Sequence, residues 1–336
     1  MLKIGIIGSG FGVYGLLPAF NSTAGCIVTY FCGRKTKRLV SCCQKIGIKK
    51  VYTNWQGMLD KEKLDAVALA VPPGVQYKIA KVAINKGLHI FAEKPLAVTL
   101  PQATKLLDLA NKNKIVNAID FLFPEIEEWK KVKEFLDKKK FGKLKQIYLN
   151  WDFLSYDIKN IKSSWKTDKN KGGGALSFYF SHSLYYLEYY AGKILDFKSQ
   201  LLYSKESINS GEVGINLLLK FENGIFGYSH LCCNVRGLNR HQLVFVCEKG
   251  TIVLGNENGI TSNFVIKIYT DEGVKQVSIP KEEDRVDEDE RVKVVKKLTT
   301  RFIDSIVHNK KIIPSFSEGV RVQELIERIR ANNSEF

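Results

Sequence analysis

Leu2-Lys3-Ile4-Gly5-Ile6-Ile7-Gly8-Ser9-Gly10-Phe11-Gly12 is the most informative stretch of the sequence. A β-branched run ends in a glycine-rich turn and passes at once into Tyr14–Asn21, which has helical spacing. Such a turn suits a phosphate. Gly8 permits the tight bend, and Gly10 lets the backbone approach an anion. The following helix offers N–H groups and the positive end of its dipole. The spacing is G-x-G-x-G, because position 13 is valine where the strict dinucleotide fingerprint has glycine. Position after a strand and before a helix carries the reading, with Gly8, Ser9, Gly10, Phe11 and Gly12 as the cradle.

The same rhythm repeats further along the chain. Ile27–Cys32, Ala66–Val71, His89–Ala92 and Ile115–Ile119 read as strands, and Lys37–Ile46, Val75–Lys86 and Pro101–Lys112 as helices. Strand–helix alternation predicts a parallel sheet covered on both faces, and the unbroken apolar run Ala66–Val71 fits a strand buried on both sides. The expectation is an α/β chain with a doubly wound Rossmann domain over 1–121 and a second domain over 122–336. In the second part, Glu125–Lys138 and Gly174–Tyr190 read as helices and Ile147–Phe153 as a strand. Asn223-Gly224, Lys249-Gly250, Asn258-Gly259 and Glu272-Gly273 punctuate further strands, which predicts a large, mostly antiparallel sheet. Lys281–Lys297 reads as a solvated linker, followed by helices over Val292–His308 and Ser317–Ala331 with Ser317 as N-cap.

Composition narrows the function classes. The chain has 336 residues, 45% hydrophobic and 26% charged, an ordinary globular balance. No apolar run approaches a membrane span, and the start does not read as a signal peptide, so the cytoplasm is the expected location. Seven cysteines include two adjacent pairs and no C-x-x-C, and they read as reduced thiols. The five histidines show no ligand spacing, so no metal is expected. The net charge of +16 is spread over the whole chain, without a nucleic-acid-binding motif. It favours small anions as partners over nucleic acid or membrane.

The end of the second strand bears on which dinucleotide is held. An NAD site places Asp or Glu there for the ribose hydroxyls. Here stand Cys32-Gly33-Arg34-Lys35, with Arg38 one turn later. Gly33, Arg34, Lys35 and Arg38 suit a 2′-phosphate, so NADP(H) is favoured over NAD(H). The plain alternative is a set of solvated charges opening the next helix.

Two further motifs are specific: Val71-Pro72-Pro73-Gly74-Val75-Gln76-Tyr77 after the fourth strand expected in a Rossmann sheet, and Ala92-Glu93-Lys94-Pro95-Leu96-Ala97 after the fifth. Trp165, then Gly172-Gly173-Gly174-Ala175-Leu176 and His182, and finally Pro314-Ser315-Phe316-Ser317-Glu318-Gly319 with Arg321 and Gln323, extend the pattern across the chain. Together these resemble the glucose–fructose oxidoreductase/inositol dehydrogenase family, Gfo/Idh/MocA. The resemblance implies a Rossmann domain, a C-terminal α+β domain with a large open sheet, and homodimers or homotetramers formed through that sheet. It implies hydride transfer at a hydroxyl or keto carbon of a sugar, nucleotide sugar or polyol. Lys94 would lie between nicotinamide and substrate. Val71, Pro72, Pro73, Gln76 and Glu93 would border the cofactor, and His182 would act as general acid/base.

The chain departs from the pattern at one helix. The family's carboxylate four residues before the histidine is Phe178 here, Tyr185 replaces a second usual acid, and Gln76 stands where histidine is common. A carboxylate at that spacing would share a helix face with the imidazole and fix its tautomer, which Phe178 cannot do. Tyr179, with Tyr185 and Tyr186 nearby, is the substitute donor considered. Asp120 and Trp165 are candidate substrate contacts, as are Asp152 and Asp157. The alternative is a catalytically degenerate NADP(H)-binding regulator.

Overall fold

The computed structural model describes residues 1–48, 50–204, 209–280 and 288–333. Two compact units divide the chain, Met1–Leu122 with Asp284–Gln323, and Phe123–Glu283 with Glu324–Phe336. The expected α/β class, with a parallel first sheet and a mostly antiparallel second one, is what the structure shows.

In the first unit, strands β1 (Leu2–Ile7), β2 (Cys26–Cys32), β3 (Lys50–Tyr52), β4 (Ala66–Leu69), β5 (His89–Ala92) and β6 (Asn117–Ile119) form a parallel sheet in the order β3-β2-β1-β4-β5-β6. The order reverses at β1, which is where this topology opens a crevice for a ligand. Every residue of β4 is buried, as its unbroken apolar run requires. β3 and the helix Trp55–Lys61 were not anticipated, while the strands expected over Ala66–Val71 and Ile115–Ile119 prove shorter. The helix Val292–Val307 belongs to this unit. Phe302 packs edge-on against Phe20 and Phe91 at 6.4 and 5.7 Å, and Thr299 hydrogen-bonds Thr23 at 2.8 Å. That placement differs from the single second domain drawn over 122–336 from sequence.

The second unit carries β7 (Leu144–Asp152), β8 (Ile194–Leu202), β9 (Gly214–Phe221), β10 (Phe226–Cys232), β11 (Arg240–Cys247), β12 (Gly250–Asn256), β13 (Val265–Thr270) and β14 (Gly273–Val277). Their order is β14-β13-β12-β11-β7-β10-β9-β8, with β7 and β10 the parallel pair. Side chains alternate along each strand. Ile147, Leu149 and Trp151 of β7 are buried, while Tyr148 and Asn150 lie on the more open face. That face also carries Leu218 and Phe226, each 57% exposed. A polar row crosses it. Asp152 accepts from Arg240 at 2.6 Å and pairs with His230 at 3.0 Å, and His230 contacts Asn216 at 2.7 Å. Asp152 is therefore committed within the sheet, which corrects its reading as a sugar contact.

Trp129, Phe123, Trp151, Tyr186 and His241 form the aromatic centre of this unit. His241 stacks on Trp151 with ring centroids 4.2 Å apart and hydrogen-bonds Tyr186 Oη at 3.0 Å. Burial pushes its imidazole down to about 3. Because the folded value lies below the unfolded one near ~6.5, the neutral form is the one the fold accepts. The stabilisation is present above pH ~6.5 and lost as pH falls toward 3. By pH ~5 the expected loss is about 2 kcal/mol. Urea unfolding followed by fluorescence of Trp129, Trp151 and Trp165, all in this unit, should show it. His241→Gln should flatten that acid slope, and a slope identical to wild type would refute the assignment.

Two expectations at the chain's end are corrected. Residues 281–287 of the supposed linker lie outside the described residues, but Asp289 and Arg291 beyond them form a half-buried pair, with Nε–Oδ1 at 2.8 Å. The last helix, Phe316–Ala331, is capped by Ser315 and not Ser317. Ser315 Oγ accepts from Ser317 N, while Glu318 Oε2 accepts from Ser315 N at 2.7 Å. The seven cysteines carry free thiols, and burial pushes Cys26, Cys32, Cys43 and Cys247 up to about 11 and Cys233 to about 12.

Candidate active site

The glycine turn is built as the sequence requires. Gly8 has φ +136°, and a Cβ there would stand 2.1 Å from Ala70 O, so no other residue fits. Above Gly10 the space is open, with nothing within 4 Å of a Cβ position. Gly8 is tight because of its own chain, whereas Gly10 leaves its backbone approachable from outside. Ser9 ties the turn to the end of β2, its Oγ accepting from Arg34 N at 2.6 Å and lying 2.6 Å from where a Gly33 Cβ would be. Gly12 is less constrained, while the Phe11 ring lies over Gly15, 2.2 Å from where a Cβ would stand, so a larger residue there would have to displace that ring.

Arg34, Lys35 and Arg38 are exposed at the end of β2, with Arg38 over the Tyr14 ring at 5.5 Å. Sequence reading missed a further cation. Arg291 lies over the Phe11 ring at 4.6 Å and over Tyr14 at 5.6 Å, held from behind by Asp289. Its position in a charge-dense stretch concealed it, and only the packing of the helix Val292–Val307 on this unit reveals it. The open cradle and the exposed cations fit a dinucleotide, whose phosphates Gly10 and these side chains would hold.

Val71 and Pro72 are half-buried after β4, and Pro73 begins the helix Pro73–Asn85. Gln76 on that helix is fully buried. Its amide nitrogen donates to Glu93 O at 2.6 Å and to Pro95 O and Leu96 O at 3.1 Å. The Glu93–Leu96 turn, and Lys94 with it, is therefore shaped from behind. Asp120 follows β6 and is 1% exposed. Burial pushes its carboxyl well above the usual carboxylate range, and the charge of Glu93 adds to this. Burial raises Glu93 too, with Lys94 pulling the other way. The structure thus gathers Glu93, Lys94 and Asp120 in the first unit.

The other candidates lie in the second unit. The stretch read as one helix over Gly174–Tyr190 is two, Ala175–Phe178 and Phe180–Ala191, with the break at Tyr179. Phe178 packs edge-on against Trp165 at 5.3 Å and against Tyr179 at 4.6 Å. His182 is 7% exposed, with the Phe123 ring edge-on at 5.1 Å. Tyr186 hydrogen-bonds Ser183 and His241 and is fully buried, so it is a core residue and no donor to substrate. Tyr185 is buried as well. Asp157 accepts from Ser164 Oγ at 2.6 Å and lines, with Lys166, Tyr179 and Glu212, a cavity of about 20 Å³, room for one water. His89 accepts from Val116 N at 2.9 Å, a structural role. Among the described residues no group of three or more His, Cys, Asp or Glu is placed to hold a metal, and no helix is long and apolar enough to cross a membrane.

Comparison with known proteins follows the same lines. Residues 2–121 match the oxidoreductase family with an NAD-binding Rossmann fold, and residues 129–253 match the GFO/IDH/MocA C-terminal domain. An uncharacterised oxidoreductase of Synechocystis is 25% identical, over 99% of this chain and 94% of its own. Levoglucosan dehydrogenase in complex with NADH and levoglucosan superposes with a TM-score of 0.86 at 17% identity, covering 98% of this chain and 96% of that one. A 3-ketoreductase from Actinomadura kijaniata in complex with NADP and TDP-benzene gives 0.83 at 19% identity, covering 99% and 98%. With both domains matched, the turn formed as a dinucleotide site needs it and the Glu-Lys-Pro turn at the end of β5, the chain belongs to the Gfo/Idh/MocA oxidoreductase family.

Proposed function

We propose that this protein transfers a hydride to or from a hydroxyl or keto carbon of a sugar, nucleotide sugar or polyol, with NADP(H) as the favoured cofactor. One observation carries the reading. Gln76 fixes the Glu93–Leu96 turn so that Lys94 stands at the carboxyl end of β5, beside buried acids and in the same unit as the open Gly10 cradle. Structural relatives that hold NADH with levoglucosan, or NADP with TDP-benzene, support the substrate class.

A bound nicotinamide supplies or accepts the hydride. The protein's part is placement and charge. Lys94 holds its ammonium where a carbonyl oxygen gains negative charge, and it stabilises that charge. Trp165, Tyr179 and His182 are the second unit's candidates for contact with the substrate, and Asp120 is the first unit's. Arg34, Lys35 and Arg38 receive the 2′-phosphate. Hydrogen bonds to a charged group contribute about 1.5–3 kcal/mol, so NADPH should bind roughly tenfold or more tightly than NADH. Arg34→Ala should erase most of that difference in calorimetric titrations, and tighter NADH binding would overturn the preference. Turnover is tested by nicotinamide absorbance against free sugars, polyols and nucleotide sugars, levoglucosan included.

Phe178 favours a second reading, a nucleotide-binding regulator without catalysis. NADPH binding with no turnover across the whole panel would select it.

A further inference from the structure

β5 and β6 are parallel neighbours in register, with Ala92 opposite Ile119. Glu93 and Asp120 are the next residue of each strand, so they leave the sheet side by side. Backbone bonds fix both positions, Glu93 N to Leu69 O and Asp120 N to Ala92 O, each at 2.9 Å. Both carboxylate oxygens of Asp120, and Oε1 of Glu93, are sealed from solvent, Glu93 as a whole is half-buried, and a side-chain hydrogen-bonding interaction links the two carboxyls. Two cations act on the pair, Lys94 and Arg291. Arg291 is already engaged by Asp289 through two bonds of 2.8 Å. Two adjacent carboxyls with so little access to water resist carrying charge together at rest, and the one that keeps a proton can donate it to the other.

We propose that Glu93 and Asp120 hold one proton between them at neutral pH and that this pair is the proton reserve behind Lys94. It gives Lys94 acid–base support from within its own unit. The inference deepens the proposed function and rests on Lys94 standing at the reacting oxygen. In the reducing direction the Lys94 ammonium gives a proton to the oxygen as it becomes a hydroxyl, leaving a neutral amine. The protonated carboxyl of the pair returns a proton to that amine. The pair is then doubly ionised, an unfavourable and short-lived state that Lys94 and Arg291 only partly offset, and water reaching the half-buried Glu93 restores the proton. Oxidation runs the same path backward.

The shared proton has a signature independent of turnover. If the pair already carries a single negative charge, Asp120→Asn leaves that charge on Glu93, and the net charge of the folded protein does not change. Capillary electrophoresis at pH 7 should therefore show Asp120→Asn running with wild type. The exposed control Asp60→Asn should run one charge more positive, and so should the double variant Glu93→Gln/Asp120→Asn. A full charge step for Asp120→Asn alone overturns the shared proton, whatever the enzyme does. The second measurement is the pH dependence of kcat on whichever panel sugar turns over. The alkaline limb should move to lower pH in Asp120→Asn, with cofactor affinity unchanged. An unmoved limb overturns the role as proton reserve. Absence of turnover throughout the panel would instead count against the proposed function and leave the electrophoretic result standing.

Discussion

Lys94→Ala is expected to lower kcat by two to three orders of magnitude while the dissociation constant for the nicotinamide cofactor changes by no more than a few-fold. The size follows from the chemistry. A donor aimed at an oxygen that becomes charged in the transition state is worth about 10²–10³ in rate when removed. The selectivity follows from the structure, since Gly8–Gly12 and the end of β2 form the proposed cofactor cradle, while Gln76 shapes the turn of Lys94 separately. Lys94→Arg keeps the charge but replaces a compact ammonium by a planar fork, so it should recover little. Steady-state kinetics beside calorimetric binding decides the matter. Unchanged turnover in the alanine variant removes Lys94 from the mechanism.

The second large effect concerns stability. Glu212 is 2% exposed, and its Oε1 accepts from Arg330 Nη2 at 2.8 Å and from Leu176 N at 3.1 Å. Its backbone oxygen accepts from Ala175 N at 2.7 Å, and a Cβ on Gly174 would stand 2.5 Å from its carboxylate. This one residue therefore holds the start of the segment that bears Tyr179 and His182. Removing one partner of a buried ion pair leaves a sealed charge uncompensated, which costs about 3–5 kcal/mol. Arg330→Ala should lower the melting temperature of the second unit by roughly 10 °C. Glu212→Leu/Arg330→Met, which removes both charges, should recover part of that loss. Calorimetry on the three proteins checks it, and an alanine variant that melts with wild type would show that the pair contributes nothing.

Much of this was legible in the sequence, for reasons that also mark where legibility ends. β1, β5 and the helix Lys37–Ile46 fall where expected, because apolar period and glycine punctuation are local signals. β3 has three residues and lacks any such signal. The break at Tyr179 is also silent, since no glycine or proline marks it in the sequence. Phe302 and Arg291 lie nearly the whole chain away from Phe20 and Phe11, which they contact. Periodicity says which face of a helix is apolar, not which distant surface receives it. The Glu93–Asp120 pair was in principle readable. Each acid directly follows the last residue of a strand in a parallel sheet, and knowledge that β5 and β6 are neighbours would have set them together.

The buried thiols have a practical corollary. A sulfhydryl reacts with an alkylating agent as its thiolate, and in an unfolded chain that form titrates near ~8.5. With Cys26, Cys32 and Cys43 buried and pushed up to about 11 in one unit, and Cys247 to about 11 and Cys233 to about 12 in the other, labelling at neutral pH is slow in the folded state and speeds up when the structure opens. Peptide-resolved labelling rates then become a clock for local opening, read for each half of the molecule without introducing any probe.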